Sequence, residues 1–492
     1  MFASTGITGQ VRSGVAENIV AQKKTPQQRT LFKGGTVLTL DASVGDFTAA
    51  NVLVEGSRIA AVGLNLRADN ARVIDATGNI VMPGFVNPHQ HAWLGLLRGL
   101  MPNVETLDEY FKAIPFAIGR YYRPQDMHVA TLLTSLSCLD AGITTILDAA
   151  HNSLTPEHTD AALEGLDQAG LRAIHMVGKP AGMTVKHWPG EIQRLKRPDD
   201  ALAHVGLFAL IPDANHWAMA REFGCRILTE FVGEGGQSPL PDLHARGMLR
   251  SDNIFNHCCR LSGDDWRILA EAGVNVTVNP RSDSLFGLES DGFPYQTALE
   301  YGLRPALGID IDTSQGGDMF SEMHAAFTQQ RTFAQRRRAA GDKSAPAPIH
   351  VQSILEAATI DGARVMGLGN NVGSLTPGKQ ADLIMIRTDG IAVFPSHNAV
   401  GNVVHMANRT DVRTVMVAGR LRKHDGQLVD VDVASVRRAA EGSREYLFAA
   451  AGYQPDALEE KFPHLQPAAY PVQRLHARKA SMIAAGYPSS RT

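Results

Sequence analysis

The chain has 492 residues, of which 44% are hydrophobic and 20% charged, with a formal net charge of -3. These are ordinary globular values: they exclude a largely disordered protein, and the absence of a basic footprint speaks against nucleic acid as a partner. No apolar run reaches the roughly 18 residues of a membrane helix, and four cysteines (Cys138, Cys225, Cys258, Cys259) are too few and too irregularly spaced for a disulfide framework or a zinc ribbon, so a reducing, cytoplasmic setting is expected.

Residues 1–30 lack the apolar segment of a secretory signal and read as a polar extension. Between residues 31 and 81 the sequence turns to short runs rich in Val, Ile and Thr (31–33, 36–40, 50–55, 58–62, 72–75), separated by Gly, Asp and Asn, which is the patterning of an antiparallel sheet. This segment cannot bury both faces by itself. The same style returns at 381–386, 412–417 and 427–429, so a small β-sandwich composed of residues 31–81 and 376–430 is expected, with both ends of the chain flanking one continuous middle.

The middle, residues 82–375, alternates apolar strands with amphipathic helices. Strands are expected at 82–88, 144–148, 172–177, 206–210, 225–231, 253–257, 274–278 and 305–310, with helices at 126–140, 158–169, 215–223, 264–272 and 294–301. Eight such repeats predict a (β/α)8 barrel, which makes the chain α/β in class. The Arg336-Arg337-Arg338 run reads as the solvated end of a helix, and residues 431–492 as a helical tail carrying no recognisable chemistry.

In a barrel of this kind function collects at the C-terminal ends of the strands. The polar residues there are His89 and His91 on the first strand, Asp148 and His151 on the second, Glu230 on the fifth, His257 on the sixth and Asp310 on the eighth. Alternate side chains of a strand share a face, so His89 and His91 project together and suit a metal. A single strand-end histidine has a plain explanation as a hydrogen-bonding rim residue; several acids and imidazoles converging on one mouth do not. One divalent ion on two imidazoles and a carboxylate would supply hydroxide near neutral pH, and Glu230 and His257 are the candidates for moving the proton. Trp93 and His151 are the candidate substrate contacts, although aromatic residues at a barrel rim also serve packing.

The Pro-Gly-Phe-Val-x-x-His-x-His strand, Gly142-Ile143-Thr144-Thr145, Asn256-His257-Cys258 and Leu307-Gly308-Ile309-Asp310, set beside the split sheet, resemble the amidohydrolase superfamily over residues 30–425, and within it the cytosine deaminase and chlorohydrolase-like branch. The resemblance implies hydrolysis of a non-peptide C–N bond in a small cyclic molecule, with His89, His91 and Asp310 as metal ligands, His257 polarising substrate or water, and Asp310 also taking a proton. It implies zinc, with iron or manganese as the alternatives, and a homo-oligomer. One departure stands out. The family places a metal-binding histidine on strand five, and this chain has none there. Counting three residues back from Glu230 puts Ile227 in its place; counting from the following Val-Gly puts Phe231 there. Glu230 is then either a replacement ligand or the acid–base group. The alternative to a metal hydrolase is a metal-free or metal-poor lyase, isomerase or hydrolase that uses the same His, Glu and Asp.

Overall fold

The computed structural model describes residues 28–454 apart from 68, 189, 234–237 and 290–292. Residues 1–27 of the expected N-terminal extension and the tail from 455 on lie outside these residues; Arg29 and Thr30, expected in the extension, begin the strand Arg29–Val37, and the expected helical tail is seen as the helix Val433–Ala451.

Both ends of the chain build one nine-stranded sheet. Its middle strand, Asn79–Pro83, runs parallel to Arg29–Val37 on one side and antiparallel to Leu383–Arg387 on the other. The latter continues into Val412–Val417, Arg420–His424 and Gln427–Leu428, while Arg29–Val37 continues into Phe47–Glu55 and Arg58–Gly63. Phe32, Val52, Val54, Val81, Leu383 and Met416 form its core, drawn from both ends of the sequence.

The run expected as a single first barrel strand is divided. Val81 to Pro83 belong to the sheet, and the barrel strand begins one residue past Gly84, at Phe85–Gln90. Gly84 marks the crossing because a Cβ there would lie 2.2 Å from the side chain of Thr144. Seven further parallel strands follow in order: Ile143–Ala150, Arg172–Val177, Ala203–Phe208, Ile227–Val232, Asn253–Cys259, Asn275–Val278 and Ala306–Leu307. The eighth is shorter than the sequence suggests, and the barrel is completed by a single bridge between Gln90 and Asp310, with Asp310 N donating to His89 O at 2.9 Å and His91 N to Asp310 O at 2.9 Å. The closure thus joins the His-x-His segment directly to the eighth-strand acid.

Alternation along each strand sorts the side chains into two layers. Val86, Leu147, Ile174, Met176, Phe208, Leu228 and Ile254 fill the barrel interior. Ile146, Ala173, Leu207, Ile227, Phe231 and Phe255 face outward onto the helices. The helices fall where the 3.6-residue pattern puts them: Pro124–Asp140, Pro156–Ala169, Ala214–Glu222, Gly263–Glu271 and Tyr295–Glu300. Capping sets their ends, as at Ser262 and Asp265, which satisfy each other's backbone donors, and at Gly170, which stops its helix at φ 67°. The Arg336–Arg338 run closes the helix Met319–Ala339, where three cations oppose the negative end of the helix dipole. Among the described residues no helix is long and apolar enough to cross a membrane.

Candidate metal centre

The structure brings His89, His91, Glu230, His257 and Asp310 to one mouth of the barrel. Asp310 Oδ1 lies 3.2 Å from His89 Nε2 and 3.1 Å from His91 Nε2. Glu230 Oε1 faces the same two nitrogens at 3.5 and 3.3 Å. The His257 ring stands 5.9 Å from that of His89. All five are buried or nearly so, and an apolar cluster that includes Trp93, Tyr110, Phe286 and Ile311 adjoins the site, with Trp93 against His151 and Tyr110 beside Asp310 and Glu230.

Local backbone features aim these groups. The His91 ring donates through Nδ1 to Ala149 O at 2.9 Å, which leaves Nε2 as the lone-pair nitrogen facing the carboxylates. His257 is tied through Nδ1 to Asp283 Oδ1 at 2.7 Å, leaving Nε2 as its free nitrogen, and Ser282 Oγ donates to Asp310 Oδ2. His257, Cys258, Arg260 and Asp310 all hold φ between 54° and 74°, a left-handed conformation that non-glycine residues adopt at a cost and that gathers here at the strand ends of the site.

Burial raises carboxylates and lowers imidazoles, and here mutual contact overturns that for most of the cluster. Against burial, contact with His91 holds Glu230 at about 2, while contact with His89 and His91 holds Asp310 well below the usual carboxylate range. Against burial, contact with Asp310 and Glu230 raises His91 to about 10, and Asp283 raises His257 to about 9. His89 is lowered because burial wins, and burial takes His151 down to about 3. Two ionised carboxylates set among imidazoles in a buried site need two positive charges nearby. Protonated His91 and His257 can supply them; so can one divalent cation. The second fits the donor set better, because the ligand atoms of His89, His91 and Glu230 lie within 4.8 Å of one another and, among the described residues, Glu230 Oε1 is buried facing only those two imidazole nitrogens.

Trp93 and His151, the expected substrate contacts, also lie at the mouth: the His151 ring stands 4.6 Å from that of His91 and 5.5 Å from Trp93. Asp148 does not join them. Its carboxylate points outward, accepting from Ala92 N at 3.0 Å and pairing with His175 Nδ1 at 2.8 Å, and so fixes the turn that follows His91. Neither counting of the fifth strand survives. Ile227 and Phe231 both lie in the outer layer, with Phe231 edge-on to Phe255 at 5.3 Å, while Glu230 shares the inward face with Leu228. The residue of this strand that faces His89 and His91 is Glu230. The position three residues on is then Gly233, where a Cβ would come 2.1 Å from the carbonyl oxygen of Arg260. Lys179 is exposed, its Nζ 5.8 Å from the Trp188 ring, and Cys258 and Cys259 are buried thiols raised by desolvation.

Three residues near the site were not singled out from the sequence. Asp283 and Ser282 follow the seventh strand, where Asn279-Pro280 is a helix-start signal that marks a strand end facing the mouth. Tyr110 comes from the helix Leu107–Ala113; its hydroxyl, like Trp93 Nε1, is buried with no partner among the described residues, and burial beside Asp310 and Glu230 keeps it protonated.

A model of the amidohydrolase family matches residues 216–422. A 5-methylthioadenosine/S-adenosylhomocysteine deaminase of Desulforamulus reducens is 30% identical over 439 residues, covering 82% of this chain and 95% of the relative. The chain belongs to the amidohydrolase family. A 5'-deoxyadenosine deaminase of Methanosarcina mazei is 27% identical, covering 85% of this chain and 98% of that one. Two solved structures share the fold: an adenosine deaminase from Xanthomonas campestris with bound zinc (TM-score 0.71, 22% identity, 86% of this chain and 100% of that one) and an atrazine chlorohydrolase from Arthrobacter aurescens with zinc (TM-score 0.71, 21% identity, 84% and 100%). This amidohydrolase is therefore a barrel hydrolase acting on non-peptide C–N bonds of small cyclic molecules, with a site suited to a divalent metal ion.

Proposed function

We propose that this amidohydrolase is a deaminase of adenine-type nucleosides, replacing an exocyclic amino group by oxygen from water with release of ammonia. The observation that carries the reading is the convergence of His89, His91, Asp310 and His257 beside an apolar cluster, in a chain whose relatives over most of its length are named for deamination of 5'-substituted adenosines. Zinc is the ion proposed, held by His89, His91 and Asp310, and when bound it supplies the Lewis acidity that makes water a nucleophile near neutral pH.

The remaining roles follow from the chain's own groups. Asp310, ionised and steadied by Ser282, accepts the proton that water loses as it adds to the ring carbon. His257, fixed by Asp283, directs its free Nε2 at the polar edge of the ring. Trp93 and His151 wall a flat heterocycle, and the indole N–H of Trp93 and hydroxyl of Tyr110 offer donors to its nitrogens or to a sugar oxygen.

The test is ammonia release from 5'-methylthioadenosine, S-adenosylhomocysteine and 5'-deoxyadenosine, with cytosine and a chloro-s-triazine as contrasts, before and after chelation. Turnover of a purine nucleoside that disappears with the metal and returns on adding zinc is the expected result. Turnover only of the contrasts would move the substrate class. Full activity after exhaustive chelation would replace the metal hydrolase by the metal-free acid–base enzyme.

A further inference from the structure

We propose that Glu230 is itself a ligand of the metal ion, an oxygen donor in place of an imidazole, and does not serve as the proton shuttle. The inference rests on reading this mouth as the metal centre, and it carries that reading to a donor set of two imidazoles and two carboxylates.

The fifth strand dictates the placement. It pairs with the sixth in parallel register, Ile227 opposite Asn253 and Glu230 opposite Asn256, and its inward face carries Leu228, Glu230 and Val232. Glu230 is the one polar side chain among these, so whatever this strand contributes at the mouth is its carboxylate.

The distances match coordination. Ligand atoms about 2.0 to 2.1 Å from a tetrahedral ion lie about 3.3 Å from one another. Asp310 Oδ1 stands 3.2 and 3.1 Å from the two imidazole nitrogens and Glu230 Oε1 3.5 and 3.3 Å, both near that spacing; the ligand atoms of His89, His91 and Glu230 form one close group and those of His89, His257 and Asp310 another, so the two carboxylates meet the imidazole pair from two sides and do not close one tetrahedron against water. The two carboxylates, from opposite sides of the barrel, bear on the imidazole pair in equivalent ways. A shuttle would stand back by the width of a water molecule, whereas Glu230 Oε1 reaches the ligand nitrogens themselves. Among the described residues it faces only the two imidazole nitrogens, so without a cation it would be a poorly satisfied buried acceptor.

Two carboxylates also balance a dication and make the site harder than one with three imidazoles. Oxygen donors shift preference toward manganese and iron relative to zinc, so this chain should discriminate less strongly in favour of zinc than a three-histidine site does.

The experiment strips the full-length protein with a chelator and titrates it with Zn2+, Mn2+ and Co2+, for the unaltered chain, Glu230→Gln and Glu230→His. Metal retained after gel filtration and the visible spectrum of the cobalt form are the readouts, with circular dichroism melting to show that each variant is folded. The expected result is at least a tenfold loss of affinity and an altered cobalt spectrum for Glu230→Gln, with binding recovered in Glu230→His and tilted toward zinc over manganese. Glu230→Gln that keeps the original affinity and cobalt spectrum overturns the proposal, as does an unaltered chain that binds none of the three ions. Should Glu230→Gln fail to fold, Glu230→His decides alone: an unchanged cobalt spectrum and metal preference there overturn it. Because none of these readouts uses a substrate, failure of the deaminase assignment leaves the result standing, and the reverse holds as well.

Discussion

At the scale of single residues, the site separates groups that face the reaction space from groups that hold them in position. Asp283 is of the second kind: fully buried, it binds His257 Nδ1 at 2.7 Å and accepts from Asn279 N at 2.9 Å. Replacing it by Asn keeps the shape and removes the charge. We expect Asp283→Asn to lower activity by about 10- to 100-fold, the usual consequence of losing an orienting partner, while metal content stays unchanged. Elemental analysis beside steady-state kinetics checks this, and loss of metal in the same variant would make His257 a ligand. The histidines and Asp310 were legible in the sequence because they end apolar strands and chemistry gives few other reasons for such a set. Asp283 was not, since it lies one helical turn beyond its strand and its role depends on where the His257 ring comes to rest. Glu230 was visible as a residue but not as a position: the register of a strand lacking its expected imidazole follows from which neighbours pack outward, Ile227 and Phe231, and that is a tertiary fact.

At the scale of elements, alternating apolar strands and amphipathic helices disclosed the barrel, and most helix limits fall within two residues of their expected places. The crossing at Gly84 was concealed. Residues 80 to 86 form one apolar run, and only the pairing partners, Leu383–Arg387 for its first part and Ile143–Ala150 for its second, divide it between two sheets. The close approach of Thr144 makes this glycine a steric requirement. Gly84→Ala should destabilise the protein by about 1–3 kcal/mol through overpacking, and Thr144→Ala added to it should recover part of the loss, as measured by denaturant unfolding. No recovery in the double variant would mean that the backbone of Gly84, and not the space above it, is what matters. The brevity of the eighth strand has a similar origin. Its hydrogen bonds are given up to the turn that brings Asp310 beneath His89 and His91, at φ 74°.

At the scale of the whole molecule, sheet and barrel are held together by charge. Arg172, on the third barrel strand, makes a two-pronged contact with buried Asp382 at 2.7 and 3.0 Å, just before the sheet strand Leu383–Arg387. Asp140, at the end of a barrel helix, meets Lys423 Nζ at 2.8 Å and Arg409 at 2.8 Å. Burial would raise the Asp140 carboxyl, but its contacts with Lys423 and Arg409 lower it on balance. A carboxyl whose folded-state pKa is depressed contributes stability that is complete above its ordinary value near 3.8 and is lost as the pH falls through the folded value. The penalty of Asp140→Asn should therefore be present at pH 7 and shrink progressively below pH 4. Denaturant melts of both proteins across that range check it; a gap that widens in acid would contradict the sign. These pairs join residues more than two hundred positions apart, such as Arg172 and Asp382, and nothing in the local sequence of either partner announces the other.

The position of Asn79–Pro83 in the middle of its sheet bears on how the polypeptide matures during synthesis. One flank of that strand is covered by residues made before it, the other by residues made roughly 300 positions later, and at ordinary translation speeds the interval is on the order of tens of seconds. Throughout that time the emerging chain carries an unpaired, apolar strand edge, the kind of surface that recruits neighbouring nascent chains or chaperones. A fragment stopped at residue 375, before the covering strand, should accordingly collect in the insoluble fraction on expression, and supplying residues 376–454 in trans should draw part of it back into solution.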